Sequence, residues 1–150
     1  MPTLIHNKKV HFDYEILEEF EAGIELLGFE VKSLRAKRGS LEGAHVTIRG
    51  GEAFLINAEI PPYQPSNTPK DYDPKRRRKL LLTKKEISLL AGKEAQKGLT
   101  LVPISLYTKG RHIKLSFGIA RGKKKYDKRE TIKKRDTERD VARELKHYGF

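Results

Sequence analysis

The sequence predicts a mainly β protein with short helices: an OB-like, partly open antiparallel Greek-key barrel followed by a basic C-terminal tail. Three observations carry that prediction. Between Ile16 and Leu26 the even positions Phe20, Ala22, Ile24 and Leu26 are apolar, with Glu19, Glu21 and Glu25 between them, the period of a strand with one wet face. Two further pairs of strand-like runs flank short glycine-containing turns, at Gly50-Gly51 and at "TKGR". After Ala120 apolar residues almost vanish, and residues 133–140 contain none. A chain of 150 residues supports one domain with a real core, so we divide it into a barrel over 1–122 and a tail over 123–150.

Residues 1–12, "MPTLIHNKKVHF", read as a short basic lead-in to the strand at 16–26. "GFEVKSLRAKRG" reads as a short helix, with Val31 and Leu34 three apart and Gly39 as its C-cap. "AHVTIRGGEAFLINAEI" is a hairpin, and "PPYQPSNTPKDYD" an exposed loop rich in Pro, Ser, Asn and Asp. Asp73-Pro74 offers an N-cap with proline in the first turn, which predicts a brief helix through "KRRRK". Thr83 and Glu86 form a capping box for a second helix, "KKEISLLAGKEAQK", whose buried stripe is Ile87, Leu90 and Ala91 and which Gly98 ends. "LTLVPISLY" and "HIKLSFGIA" then pair as a long hairpin. Strand, strand, strand, helix, strand, strand is the order of a five-stranded OB barrel.

The apolar fraction is 37% and the charged fraction 35%, which suits a compact core carrying a charged extension. The formal charge is +12; residues 121–150 hold 12 Lys/Arg against 6 Asp/Glu, and residues 1–120 hold 20 against 14. Each part is therefore +6, and the tail reaches that excess in a quarter of the length. Such a balance predicts a polyanionic partner, nucleic acid before membrane. No long apolar run, signal-peptide core or lipidation signal is read in the sequence, so no membrane partner is expected. The absence of cysteine excludes a disulfide framework and thiolate metal sites, and fits a cytoplasmic location.

Catalytic constellations are weak. The five histidines (His6, His11, His45, His112, His147) are scattered, whereas a zinc site needs at least three converging ligands. No metal and no cofactor are expected. Glu19, Glu21 and Glu25 could hold magnesium in a nuclease, but alternating acids on a strand are more commonly its solvated face. No glycine-rich loop precedes a Lys-Ser/Thr pair. The protein is expected not to be an enzyme.

Binding features are stronger. Seven basic residues occupy Lys75 to Lys85, next to Leu80-Leu81-Leu82. A charge run is commonly a solvated face, but burial of the leucines would hold Arg76, Arg78 and Lys79 in place for phosphate contacts. Tyr63, Tyr72, Tyr107 and Tyr126 are candidates for base stacking, although such tyrosines more commonly serve core or loop packing. In the tail, a helix would stack Arg135, Arg139 and Arg143 on one stripe and Asp136, Asp140 and Glu144 on the next. Such pairs add only ~0.2–0.5 kcal/mol each, so the tail is expected to be disordered alone and helical against a polyanion.

Several long stretches, "HFDYEILEEFEAGIELLGFEVKSLRA", "GEAFLINAEI", "DPKRRRKLLLTKKEI", "KGLTLVPISLY" and "GIARGKKKYDKRE", occur in the order found in the SsrA-binding (small protein B) family of bacterial ribosome rescue. The chain resembles that family over nearly its whole length. The resemblance implies an OB-like barrel that binds the tRNA-like domain of transfer-messenger RNA and delivers it, with elongation factor Tu and GTP, to stalled ribosomes. It implies RNA-facing positions at Glu21, Leu81, Lys114, Gly122, Lys123 and Lys124. Arg35 and Arg121, with Arg76, Arg78 and Lys79, complete the RNA-binding set expected here. It ties the "DKR" segment (Asp127, Lys128, Arg129) to function on the ribosome. The ribosome-binding set drawn from the tail is Lys125, Tyr126, Asp127, Lys128, Arg129, Lys133, Lys134, Arg135, Arg139 and Arg143, placed in the 16S decoding centre and messenger channel. A monomer is expected. Phe29, Tyr72 and Ala44-His45 depart from the family's usual residues. A reading outside that resemblance is a basic OB-type protein held constitutively on the ribosome.

Overall fold

The computed structural model describes residues 2–123. The tail from Lys124 onward lies outside the described residues, as does every expectation placed on it. Seven strands, β1 (Thr3–His6), β2 (Tyr14–Ile24), β3 (His45–Arg49), β4 (Glu52–Ile56), β5 (Arg78–Leu81), β6 (Leu99–Lys109) and β7 (His112–Gly122), form one antiparallel sheet in the order β1-β6-β3-β4-β5-β2-β7. Pairing of β6 with β7 brings the sheet round into a ring. Among the described residues three α-helices accompany it: α1 (Val10–Asp13), α2 (Gly28–Arg35) and α3 (Lys84–Glu94). The expected mainly β, partly open barrel is what the chain forms.

The ring is not sealed evenly. β2 pairs with β7 from Tyr14 to Gly23, but it meets β5 only through Gly23↔Leu81 and Ile24↔Leu80. β3 meets β6 at a single pair, Val46↔Leu101. The interior is filled by Leu34, Leu55, Leu80, Leu90, Leu101, Leu106, Leu115 and Phe117, each 1% exposed or less. β6 buries both faces, because α1 covers Val102 and Ile104 on the outside with Val10 and Ala120. That is why "LTLVPISLY" reads as a nearly continuous apolar run rather than an alternating one.

Three local expectations need correction. The lead-in is part of the barrel: Thr3, Ile5 and His6 pair with Tyr107, Leu106 and Ser105, and Val10 starts a helical turn, 2% exposed. Only four residues form that strand, and its partner lies a hundred positions away, so no local period reveals it. The expected helix through "KRRRK" is a turn followed by strand. Asp73 Oδ1 accepts from the Lys75 N–H at 2.9 Å and its carbonyl from the Arg76 N–H at 3.0 Å, and the chain then extends as β5. This strand joins β4 to β2, so the segment read as a helix supplies the barrel's missing connection. Finally, Gly39 does not cap α2. Lys37 takes the left-handed conformation (φ 60°), with Lys37 N–H to Leu34 O (2.8 Å) and Arg38 N–H to Ser33 O (2.9 Å), a Schellman ending.

Other elements match their sequence signals. Gly50 and Gly51 both have positive φ (58° and 76°), as a two-residue hairpin turn requires. Thr83 Oγ1 accepts from the Glu86 N–H at 3.2 Å and Glu86 Oε1 from the Thr83 N–H at 3.1 Å. Gly118 marks the closest approach inside the sheet. A Cβ there would lie 2.8 Å from the Glu18 carbonyl and 2.9 Å from Ile16 Cγ2, beside the bulge between Ile16 and Glu18. Gly118→Ala should therefore force the strands apart and cost about 1–3 kcal/mol, read as a lower urea midpoint. An unchanged midpoint would mean the bulge absorbs the methyl group.

Candidate nucleic-acid interface

The predicted RNA-facing residues do not fall in one place. At one end of the barrel, Leu81, Gly23 and Lys114 are directly opposite one another across β5, β2 and β7. Leu81 is 52% exposed, an unusual position for a large apolar side chain beside a cation. They line a groove of about 330 Å³. Ile24, Leu26 and Val31 add apolar surface to it, and Arg111, His112 and Lys114 supply cationic or titratable groups. Arg35, at the end of α2, donates from Nη2 to the Arg111 carbonyl at 3.5 Å, so it braces the hairpin tip beside the groove. Apolar surface for a base or ribose with cations at its margin for phosphate suits RNA read by shape and backbone.

Glu21 lies on the outer face of β2 and is held there. The Tyr107 hydroxyl donates to Oε2, and Lys109 Nζ to Oε1 at 3.0 Å. The tyrosine hydrogen bond, with help from Lys109, holds the Glu21 carboxyl below the usual carboxylate range. Burial, with the Glu21 bond, pushes the Tyr107 phenol up. Tyr107 is therefore committed to positioning an acid, not free to stack on a base. The acid row considered for magnesium is not assembled: among the described residues no three His, Asp or Glu side chains converge on a metal-sized site.

Gly122 and Lys123 lie at the opposite end. Gly122 pairs with Tyr14, eight residues along β7 from Lys114, or roughly 27 Å of extended strand. Arg121 is exposed and opposite Glu15. The Lys123 N–H donates to the Asp13 carbonyl at 2.9 Å, and its ammonium to the His11 carbonyl at 2.7 Å. The chain is thus fixed up to the residue where the tail starts.

The basic run divides by strand alternation. Arg77, Lys79 and Leu81 face out, with Arg77 stacked 4.4 Å over the Phe54 ring and Lys79 Nζ 3.6 Å from Glu52. Arg78 points inward, wholly buried. Its guanidinium donates to Glu30 Oε2 from Nε (2.9 Å) and Nη2 (2.7 Å), and to the carbonyls of Ala58, Arg76 and Pro74. Arg78 has no surface to offer RNA; it is a structural residue, and the expectation of a phosphate contact there is corrected. Arg76 is partly exposed and pairs with the same carboxylate.

Glu30, which the sequence reading did not single out, is the acid at the centre of this cluster. Burial opposes its ionisation, but hydrogen bonds from Arg76, the Leu27 N–H (2.7 Å) and Arg78 hold its carboxyl below the usual range. The Tyr72 oxygen is 2.8 Å from both Glu30 Oε2 and the Ile60 carbonyl. Burial first, then Glu30, pushes the Tyr72 phenol up to about 12. Its ring meets Phe29 edge-on at 4.7 Å, so two of the residues that depart from the usual family pattern pack against each other. Of the remaining stacking candidates, Tyr63 is exposed beneath the Arg38 guanidinium (5.7 Å).

The family model described as SmpB protein matches residues 4–147. The chain is 54% identical to the SsrA-binding protein of Microcystis aeruginosa over 140 residues, 93% of this chain and 91% of that one. It is 49% identical to the SsrA-binding protein of Streptococcus pyogenes over 146 residues, 97% and 94% of the two chains. A solved chain from "tmRNA-SmpB: a journey to the center of the bacterial ribosome" superposes with a TM-score of 0.69 at 45% identity, covering 88% of this chain and 95% of that one. Fold, motif order and full-length identity agree, and the chain belongs to the SmpB protein family.

Proposed function

We propose that this chain binds the tRNA-like domain of transfer-messenger RNA and brings it to stalled ribosomes for trans-translation. The observation that carries this reading is the full-length match, over residues 4–147, to a family whose relatives are SsrA-binding proteins. The groove at Leu81, Gly23 and Lys114, apolar with cations at its margin, supports it. Delivery proceeds in company with elongation factor Tu and GTP, bound through the RNA. The barrel acts as a monomer in the bacterial cytoplasm and performs no chemistry of its own, and its tail occupies the decoding centre and messenger channel. No described helix is long and apolar enough to cross a membrane.

The reading is tested by sequencing the RNA that copurifies with the protein, and by comparing a folded tRNA-like RNA with single strands at ~150 mM salt, where screening acts over about 8 Å. The folded RNA should bind far more tightly. Equal affinity for arbitrary single strands would defeat the proposal.

Glu21 provides a sharper test within the site. A carboxylate repels phosphate but can accept from base amino groups or a ribose hydroxyl, so it discriminates while the cations attract. Glu21→Ala also releases Lys109 from its 3.0 Å ion pair. Cognate RNA should bind about tenfold more weakly, the equivalent of one lost specific contact. Random RNA should bind unchanged or slightly more tightly. A gain toward every RNA alike would remove Glu21 from the interface.

A further inference from the structure

The barrel has an open side. From Tyr14 to Ala22, β2 is paired on one edge by β7, while β5 joins its other edge only at Gly23 and Ile24. Backbone groups of Tyr14–Ala22 that point away from β7 meet no strand among the described residues. An unpaired edge of nine residues is a template for another extended segment. This one also presents Leu17, 44% exposed at the bulge, and it is acidic. Between Tyr14 and Glu25 the chain carries five glutamates and no lysine or arginine, in a protein of net charge +12. Among the described residues Glu15, Glu18 and Glu19 form no ion pair; of the five, only Glu21 does.

A groove of about 570 Å³ borders this strand, lined by Tyr14, Glu15, Leu17, Glu18 and Glu19, and also by Lys123. The last described residue thus already sits in the groove, with its N–H and ammonium tied to Asp13 and His11 at the mouth. The chain that continues from it, Lys124 to Arg129, holds four cations and one carboxylate. Adjacent strands are about 4.8 Å apart, so passing round β2 from β7 to its open edge spans roughly 10 Å, three or four extended residues. Charge, apolar contact, an unpaired backbone and the point of departure all specify one occupant.

We propose that residues 124–129 of the same chain lie along the open edge of β2 when no RNA is bound, with their cations on Glu15, Glu18 and Glu19 and Tyr126 against Leu17. The acidic edge then holds the root of the tail as an internal counterpart to a polyanion, and ribosomal RNA must displace it. This rests on the reading of the tail as a segment that engages RNA. Its occupancy of the edge can be measured with no ribosome present.

The test is limited trypsin digestion of the full-length protein, with cleavage after Lys124, Lys125, Lys128 and Arg129 followed by mass spectrometry. Cleavage after Arg139 and Arg143 in the same reaction is the internal control. Root cleavage, relative to that control, should accelerate about fivefold in Glu15→Gln/Glu18→Gln/Glu19→Gln, as expected for a docking equilibrium held by exposed ion pairs. Raising salt from about 0.05 to 0.5 M should do the same to the unaltered chain by shortening the screening length, so the proposal remains testable if the triple variant folds poorly. Equal root-to-control ratios in all conditions would overturn it. So would protection that grows with protein concentration, which assigns the edge to a second copy. A chain that passes this test but fails to support tagging would retain the docked tail and lose the ribosomal reading instead.

Discussion

Glu30→Ala should destabilise the barrel by about 3–5 kcal/mol, the cost of leaving a buried charge without its partner. Arg78 is wholly buried because β5 must place alternate residues inside, and its neighbours at 77 and 79 face out. Its guanidinium has hydrogen-bond partners only because α2 brings Glu30, the 61–77 segment brings Tyr72 and Pro74, and the chain after β4 brings the Ala58 carbonyl. Taking two charges from water is costly, so the pair as a whole adds little net stability; removing one member is what costs. Glu30→Gln keeps the shape and isolates the charge. The Glu30 carboxyl titrates below its ordinary value of 4.5 in the folded chain, so its contribution is fully present above that value. It disappears as pH falls through the folded value, where the carboxylate takes up a proton that the unfolded chain has already bound. The gap between the urea midpoints of the unaltered protein and Glu30→Gln should accordingly be constant near neutrality and narrow below about pH 4.5. A gap that stayed constant down to pH 3 would mean the ionised carboxylate is not what holds Arg78.

This cluster also marks where the sequence stopped being readable. Alternation in β2, the Gly50-Gly51 turn and the Thr83–Glu86 capping box each depend on residues a few positions apart, and each appears in the structure where its signal lies. β5 has the same period of two, but "RRRKLLL" places basic residues on both faces and then leucines on both faces. The alternation is present in space and invisible in composition. Arg78 could not be told from Arg77, although one is buried and the other covers Phe54. Glu30 did leave a trace: with Ser33 and Leu34 it occupies positions i, i+3 and i+4 of α2, and all three are buried. Reading Val31 and Leu34 as the apolar stripe turned that helix away from the face that carries its acid. In the interface, Lys114 and Leu81 converge through long-range pairing across Gly23, which local patterns do not encode. The 27 Å between that groove and Gly122 was likewise hidden, since a list of RNA-facing residues has no geometry until the strands are registered.

Truncation after Lys125 should leave affinity for the tRNA-like RNA nearly intact and abolish tagging on stalled ribosomes. The groove residues Leu81, Lys114 and Arg111, and Glu21 on the outer face of β2, all belong to the barrel, whose strands are complete by Gly122. Truncation after Lys125 leaves every described strand whole. Residues 126–150 carry eight Lys/Arg, and between Lys123 and Asp140 only Tyr126 and Ile132 are apolar enough to gain from burial. A segment of that composition gains little from joining a core and much from a preformed anionic channel that neutralises it. A helix gathers Arg135, Arg139 and Arg143 into a compact stripe one turn apart, whereas an extended chain would spread them at intervals of roughly 13 Å. The composition of this stretch offers little apolar surface to offset the nucleation cost of a helix. On the proposed reading the RNA channel supplies the balance, so helix and contact form together. Proline at Arg135 separates charge from conformation: it removes one cation of the eight but raises the cost of the helix by ~3 kcal/mol. Tagging by Arg135→Pro should therefore fall close to the truncated level, while Arg135→Ala, which removes the same charge and favours helix, should retain most of it. The measurement is tagged product per stalled ribosome, with RNA affinity measured alongside. Normal tagging by the truncated chain would leave the tail without a role on the ribosome, and equal loss in the proline and alanine variants would make the charge, not the helix, the active feature.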